Sequence, residues 1–519
     1  MKVKETYQVA KYVSDLDWDA DSTRIVAAGD GALKAKVFSW DSGNNLGEIT
    51  MHSHPIISCS YRKVRPFRIA TGSEDLSVNL YEGPPFKFSK TSKGHARYPN
   101  GVRFSPDGAR FASVGADQKI VLYDGKDGTI LKETDDKTPE KHKGAIYAFS
   151  WSPDSKQLLT ASADKTAKIW NADDLSVVAT FTLGSDINDQ QVGALWTQSH
   201  LISVSLSGAI NYLNRDDPSK PLRILHGHQT SIQSIALDKA NGIFYTAGLS
   251  GEVTRWNFTT GDSKWLTGKS HGGKTIVDLQ LSQDGKNLLT FGMDDKVRSS
   301  PVTSDEISSD AGDLGGLPVA AAVSPTAAST SVAVLAQDKM VLLDGIKVVQ
   351  TVALGFTPTA VTFSNDGSKV LVGGKDKKIH IYDLNGSALK ESRTIDIHDK
   401  PVTSIAYSPD GRLIASTDLE ASIYFHTADG YELKNKSGWR FHQAGVKMVD
   451  WQPDSKRVIT GSIDCHLILW HDLVDFQGGQ RSRCKDAHLD GANFVKFWDQ
   501  NTIISVGGER SIKVWSVPQ

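Results

Sequence analysis

Between His142 and Trp170 apolar and polar positions alternate in short runs broken by turns, as HKGAIYAFSWSPDSKQLLTASADKTAKIW. A period of two, in runs rich in β-branched and aromatic side chains, predicts half-buried strands. The segment reads as strand, Ser-Pro-Asp-Ser turn, strand, Ala-Asp turn, strand. His442 to Trp470, HQAGVKMVDWQPDSKRVITGSIDCHLILW, repeats the pattern. The turn residues fit: Pro presets φ, Asp bonds the nearby backbone, and Gly accepts positive φ.

The same turn recurs with starts at Ser105, Ser152, Ser282, Ser364, Ser408 and Gln452. Ser105 and Ser152 stand 47 residues apart, and Ser364, Ser408 and Gln452 follow one another at 44. That period matches WD repeats, each a four-stranded propeller blade. A second spacing is stronger. An acid precedes an aromatic by six residues in Asp75/Tyr81, Asp117/Tyr123, Asp164/Trp170, Asp376/Tyr382 and Asp464/Trp470, with Glu509/Trp515 a longer variant. In WD repeats such an acid joins a His, a hydroxyl and the aromatic in a buried hydrogen-bonded set. The fullest sets here are His142, Ser162, Asp164 and Trp170, and His442, Ser462, Asp464 and Trp470. A His/Ser/Asp trio also suggests a hydrolase, but a catalyst needs the trio once and here it recurs. Its expected role is to lock blades, since buried polar groups must be paired.

About twelve such units run along the chain. They start near Ser14, His54, Arg97, Gly144, Gln191, Thr230, Lys274, Leu317, Thr357, Lys400, Ala444 and Gly491. The unit from Leu317 lacks the SPDG turn, with Gln337-Asp338-Lys339 as its tight turn, and the unit from Thr230 puts Ser250 where the acid belongs. The acid-rich stretch Asp305–Asp313 reads as an exposed loop. Blades bury their faces only by closing into rings of about four to eight, so the expected fold is all-β, with two tandem propellers. Seven blades counted back from the C-terminus place the boundary near Thr230. This gives an N-terminal propeller over 1–229 with about five repeats and a C-terminal one over 230–519 with about seven. Glu5-Thr6-Tyr7-Gln8-Val9 resembles the outer strand that ends a repeat. The chain is therefore expected to start mid-blade, with the first propeller incomplete.

Composition narrows the function. A net charge of -2 gives no reason to expect nucleic acid or an anionic membrane as partner. Cys59, Cys465 and Cys484 make no disulfide framework and lack metal-ligand spacing, so neither metal nor cofactor is expected. MKVKETYQVAKYV lacks the apolar core of a secretory signal, and no apolar run is long enough to span a membrane. The expected setting is cytoplasmic.

Some words of the sequence are more specific than the repeat. Arg65-Pro66-Phe67-Arg68-Ile69-Ala70-Thr71-Gly72-Ser73-Glu74-Asp75, then Glu82-Gly83-Pro84-Pro85-Phe86-Lys87-Phe88, resembles the actin-interacting protein 1 family. Val102 to Gly108, Asp189 to Gly193 with Trp196, and Val204 to Leu213 extend the resemblance over essentially the whole chain. The resemblance implies fourteen repeats in two seven-bladed propellers, of which this chain lacks about the first two. It implies binding to actin filaments decorated with ADF/cofilin, promotion of their disassembly, restraint of barbed-end regrowth, and residence in actin-rich structures. It implies no enzymatic activity. The positions that match the family's actin/cofilin surface are Asp75, Lys87, Phe88 and Tyr98, with Glu82 and Arg97 beside them. Asp75 is also an acid of the repeat, and Phe86 and Phe88 are expected on one face of a strand with Lys87 opposite. A third patch is implied near Gly29–Lys34, where the expected charges are replaced and the loop is one residue shorter. Two other readings stand beside this one. One is a generic WD-repeat scaffold for a ubiquitin-ligase or trafficking complex. The other is a propeller enzyme built around His226, His228 or His471.

Overall fold

The computed structural model describes residues 11–31, 34–268, 271–326, 332–386, 388–435, 438–471, 473, 476 and 479–517. Glu5–Val9 and the Ala32-Leu33 part of the third patch lie outside them. The chain divides into two compact units, Met1–Leu225 and His226–Gln519. Both are all-β. The described residues hold eleven four-stranded antiparallel sheets, one three-stranded sheet, and one short parallel pair. These are WD-repeat propeller blades. In chain order, blades 1 to 5 span 12–49, 56–92, 99–133, 146–182 and 191–225. Blades 6 to 12 span 232–265, 276–313, 318–353, 358–396, 402–440, 446–484 and 492–516.

The strands follow from the alternation. In blade 4, Gln157–Ser162 pairs in register with Thr166–Asn171, and Leu158 and Trp170 turn to one side while Leu159 and Ile169 turn to the other. Each side enters a different core: Leu158 and Trp170 pack with Ala112, Leu122 and Trp151 against blade 3, and Leu159 and Ile169 pack with Leu201 and Leu213 against blade 5. A central blade is thus buried on both faces, and each such Leu or Ile contributes about 1.5–3 kcal/mol.

The innermost strand of every blade is a sheet edge, and its inward N–H groups need acceptors. Along each unit the preceding blade supplies several of them. Asp15 and Asp17 of blade 1 accept from the Cys59 and Tyr61 N–H of blade 2 at 2.9 and 2.8 Å. Ser58 and Ser60 accept from Val102 and Phe104 of blade 3, both at 3.1 Å. Ser150 accepts from Trp196, Ser234 from Leu279, Asp278 from Ala321, Ser404 from Val449 and Asp450 from Phe497. In unit 1, Arg103 adds a fork that donates to both Asp15 carboxylate oxygens, to Ser58 Oγ and to Cys59 O, tying three blades together.

Unit 2 closes on itself. Ile232, Ile235 and Phe244 of blade 6 pack against Ile504 and Val506 of blade 12, and Asn493 Nδ2 donates to Ile232 O at 2.9 Å. Blade 12 has three strands among the described residues. In unit 1, Leu16 and Trp18 on blade 1 and Leu195, Ile210 and Leu222 on blade 5 are exposed.

The structure changes the reading of one segment. Asp305–Asp313 is not an exposed loop: Glu306–Ile307 pairs in parallel with Thr267–Gly268, and Ala311–Asp313 forms the outer strand of blade 7. Asp305 is engaged there by Arg255 and Lys264, and Ile307 is buried. A run of acids hid two short strands because outer strands carry little apolar signal. The unit from Leu317, despite its missing turn, builds a complete blade 8.

Candidate functional site

The polar sets that lock the blades come first, because they decide which residues remain free for function. In blade 4, His142 Nδ1 lies 2.8 Å from Asp164 and Nε2 lies 2.7 Å from Thr160 Oγ1, which also accepts from Trp170 Nε1 at 2.8 Å. Blade 11 repeats this with His442, Asp464, Thr460 and Trp470. The hydroxyls are therefore Thr160 and Thr460, and the expectation of Ser162 and Ser462 is corrected. Those two serines instead donate to the backbone oxygens of Gly144 and Ala444, and accept from the N–H of Asp164 and Asp464. Thr160 and Ser162 share a strand face, so spacing alone does not separate them. The register does, placing Trp170 opposite Leu158 and within reach of Thr160.

Further sets form around His52, His95, His271, His398 and His488. Blade 6 departs from expectation at Ser250: Glu252, two residues on with a longer side chain, reaches His228 at 3.2 Å. Burial holds the imidazoles of His52, His142, His271 and His488 below their ordinary pKa. Burial alone would raise the Asp164 carboxyl, but the hydrogen bond and charge of His142 and the bond from Thr166 outweigh it and lower it. The set is thus a neutral imidazole clamped by a carboxylate, with both ring nitrogens engaged.

The histidines considered for an enzyme are also engaged. His228 belongs to a blade set, His471 Nε2 meets Ser482 Oγ at 2.7 Å, and His226 packs on the Trp265 ring. Burial raises the carboxyls of Asp278 and Asp450, yet both are occupied by inner-strand N–H groups. Among the described residues no group of His, Cys, Asp and Glu is placed to hold a metal ion. Nor, among these residues, is any helix long and apolar enough to cross a membrane.

The remaining candidates lie on blades 2 and 3 and form two groups. Asp75, Arg97 and Tyr98 line a cleft of about 680 Å³ with Ser53, Leu76 and Ala96. Asp75 serves two sites, since it accepts from His52, from Ser53 N and from Ser77 while facing that cleft. Arg97 and Tyr98 are exposed. Glu82, Lys87 and Phe88 sit at the other end of blade 2, because the third strand runs Val78–Glu82 away from Asp75 and Lys87 stands opposite Glu82 on the fourth. Glu82 is held by Ser89 and Arg68, and Lys87 is exposed. The two phenylalanines separate: Phe86 is buried in the core between blades 1 and 2, while Phe88 is 41% exposed with its edge toward Tyr81. Alternation does not link them because the strand starts at Lys87, leaving Phe86 in the preceding turn.

Comparison with known proteins follows this geometry. The family described as "WD domain, G-beta repeat" matches residues 86–124, 135–171, 354–383, 389–426 and 434–471, two of which enclose the blade 4 and blade 11 sets. The protein named WD repeat-containing protein 1 from Gallus gallus is 42% identical over 408 residues, 77% of this chain and 66% of its own length. Its namesake from Xenopus tropicalis is 42% identical over 75% of this chain and 64% of its own length. The protein named Actin-interacting protein 1 from Drosophila melanogaster is 36% identical over 518 residues, 99% of this chain and 83% of its own length. The chain belongs to the actin-interacting protein 1 family. Its aligned part spans just under two thirds of the chicken and frog family members. Membership covers both units, because the fly alignment runs through residues that the repeat signature alone leaves unmatched.

Proposed function

We propose that this chain is a non-catalytic actin-filament-binding protein that cooperates with ADF/cofilin to promote filament disassembly and restrain barbed-end regrowth in actin-rich regions of the cytoplasm. The observation that carries the reading is the fly relative's name together with its alignment over 99% of the chain. The site proposed for actin and cofilin comprises Asp75, Arg97 and Tyr98 in the cleft and Glu82, Lys87 and Phe88 at the far end of blade 2. Two separate groups on adjacent blades suit a flat, extended partner such as a filament side. Exposed aromatics beside cations are the usual anchors of such contacts.

Filament co-sedimentation tests this, with actin alone and with actin plus cofilin. The expected result is cofilin-dependent loss of pelletable actin, weakened about tenfold or more by Phe88→Ser with Tyr98→Ala. A folded sample that neither pellets with decorated filaments nor changes their loss overturns the proposal. Affinity capture dominated by ligase subunits or coat proteins, with actin absent, favours the generic scaffold.

A further inference from the structure

In blades 6, 7, 10 and 11 of unit 2 the tight turn between the second and third strands docks on the start of its own blade's first strand. Leu419 N donates to Pro401 O, Ile463 N to Gly445 O, Leu249 N to Ser231 O and Met293 N to Thr275 O. All these turns therefore reach one surface. The residues at their tips include Leu249, Met293, Leu419 and Ile463, and Leu489 precedes the last blade on the same surface. These five side chains are between 42% and 72% exposed.

The turn itself does not require an apolar tip. The equivalent positions in unit 1 carry Glu74, Ala116 and Ala163, with Leu206 on blade 5, and blades 8 and 9 of unit 2 carry Gln337 and Lys375. The five residues lie on neighbouring turns. A Cβ on Gly445 would meet Leu419 O at 3.0 Å, and one on Gly491 would meet Ile463 Cα at 3.2 Å. Cys465 Sγ lies 3.2 Å from Leu489 O, and Thr275 Oγ1 donates to Leu249 O at 2.8 Å. Because blade 12 packs on blade 6, the turns form one crescent from blade 10 to blade 7, in which Gly508 stands at the tip of blade 12.

At its blade 10 end the crescent meets a cationic cluster. Lys375 and Lys377 on the blade 9 turn and Lys400 at the start of blade 10 are exposed. The acids beside them are engaged, Asp376 by His380 and Asp399 by Arg440. Glu420 follows Leu419 in the chain and acts on Arg440.

We propose that this surface of unit 2 binds a linear segment of a partner protein in which large apolar residues are followed by a run of acidic ones. The apolar residues cover the crescent and the carboxylates meet Lys375, Lys377 and Lys400. Exposed apolar patches of this extent mark interaction sites, and the one-sided charge fixes the direction in which the segment lies. The inference is independent of the actin reading, which concerns unit 1.

Fluorescence anisotropy on the full chain tests it. The probe is a labelled peptide with a leucine-bearing amphipathic stretch followed by glutamates. The comparison peptides carry lysines for glutamates, or the same residues scrambled. The glutamate peptide is expected to bind at least about tenfold more tightly than either, with affinity falling as salt rises. Leu419→Ser with Ile463→Ser weakens it about tenfold, and Lys375→Glu with Lys377→Glu weakens it and flattens the salt dependence. Leu206→Ser, on unit 1, leaves it unchanged. Equal affinity for the lysine peptide, or binding indifferent to both double variants, overturns the proposal. The lysine variant alters only exposed side chains, so it decides the matter even where the apolar variant fails to fold.

Discussion

Units 1 and 2 use the same blade, the same polar lock and the same inner-strand bonds, yet they treat their end blades differently. In unit 2 the first and last blades share a core, with Ile232 and Ile235 against Ile504 and Val506. In unit 1 the outward faces of blades 1 and 5 leave Leu16, Trp18, Leu195, Ile210 and Leu222 in solvent. Blade chemistry is therefore local, whereas burial of a blade's second face depends on a neighbour. Repeat arrays behave this way because stability is a sum of unit terms and nearest-neighbour interfaces.

The contrast can be broken most directly at the closure. Ile504→Ala removes a fully buried side chain from it and is expected to cost about 2–5 kcal/mol. Amide hydrogen exchange should show the loss confined to 226–519, and protection lost equally in unit 1 would mean the units do not unfold separately. Next in size is the lock. Thr160→Val leaves His142 Nε2 and Trp170 Nε1 without their shared partner, at about 1–3 kcal/mol, and Ser162→Ala should cost less. Urea denaturation of the two variants checks the order, and a reversed order would restore the serine to the lock.

Acid comes third. His52 and His142 in unit 1 and His271 and His488 in unit 2 are held below 6.5, first by burial. The unfolded chain therefore takes up more protons below that value, and stability falls as pH drops through it. The lowered Asp164 and Asp464 carboxyls add a second loss below 3.8. Unit 2 also buries His426, with neither ring nitrogen bonded and its pKa pushed down to about 4, again first by burial. Thermal unfolding should show both units weakened as pH falls below about 6.5, unit 2 more so, with its loss continuing toward pH 4. Smallest of all, Leu195→Ser on the open face of blade 5 should change stability by no more than about 0.5 kcal/mol. A cost like that of Ile504→Ala would show that this face is covered in solution, and the contrast between the units would fall.

Much of this was legible in the sequence. His142, Asp164 and Trp170 are identified by spacing alone, because the blade fixes the distance from its start to its third strand. Thr160 was not, since Ser162 lies on the same strand face and only cross-strand register chooses between them. Glu252 was hidden because an acid two positions late reaches the same place with a longer side chain. The inner-strand acceptors Asp15, Ser58, Ser234 and Asp278 look like the polar face of an ordinary half-buried strand. Nothing local to them says that their partner is an N–H one blade further on. Phe88 and Tyr98 were legible as candidates, but their separation, with Phe88 at the Glu82 end of blade 2 and Tyr98 at the start of blade 3, follows from strand direction, which a motif does not carry.

The inner-strand bonds also have a direction. Each runs from a side chain in one blade to the N–H of the next blade in sequence, as from Ser58 to Val102 and from Asp278 to Ala321. A nascent chain leaving the ribosome N-terminus first thus presents finished acceptors before their donors have been made. Where such a bond forms, the earlier blade is a template on which its successor can dock. In unit 2 the Asn493–Ile232 contact can form only once the seventh blade has been made.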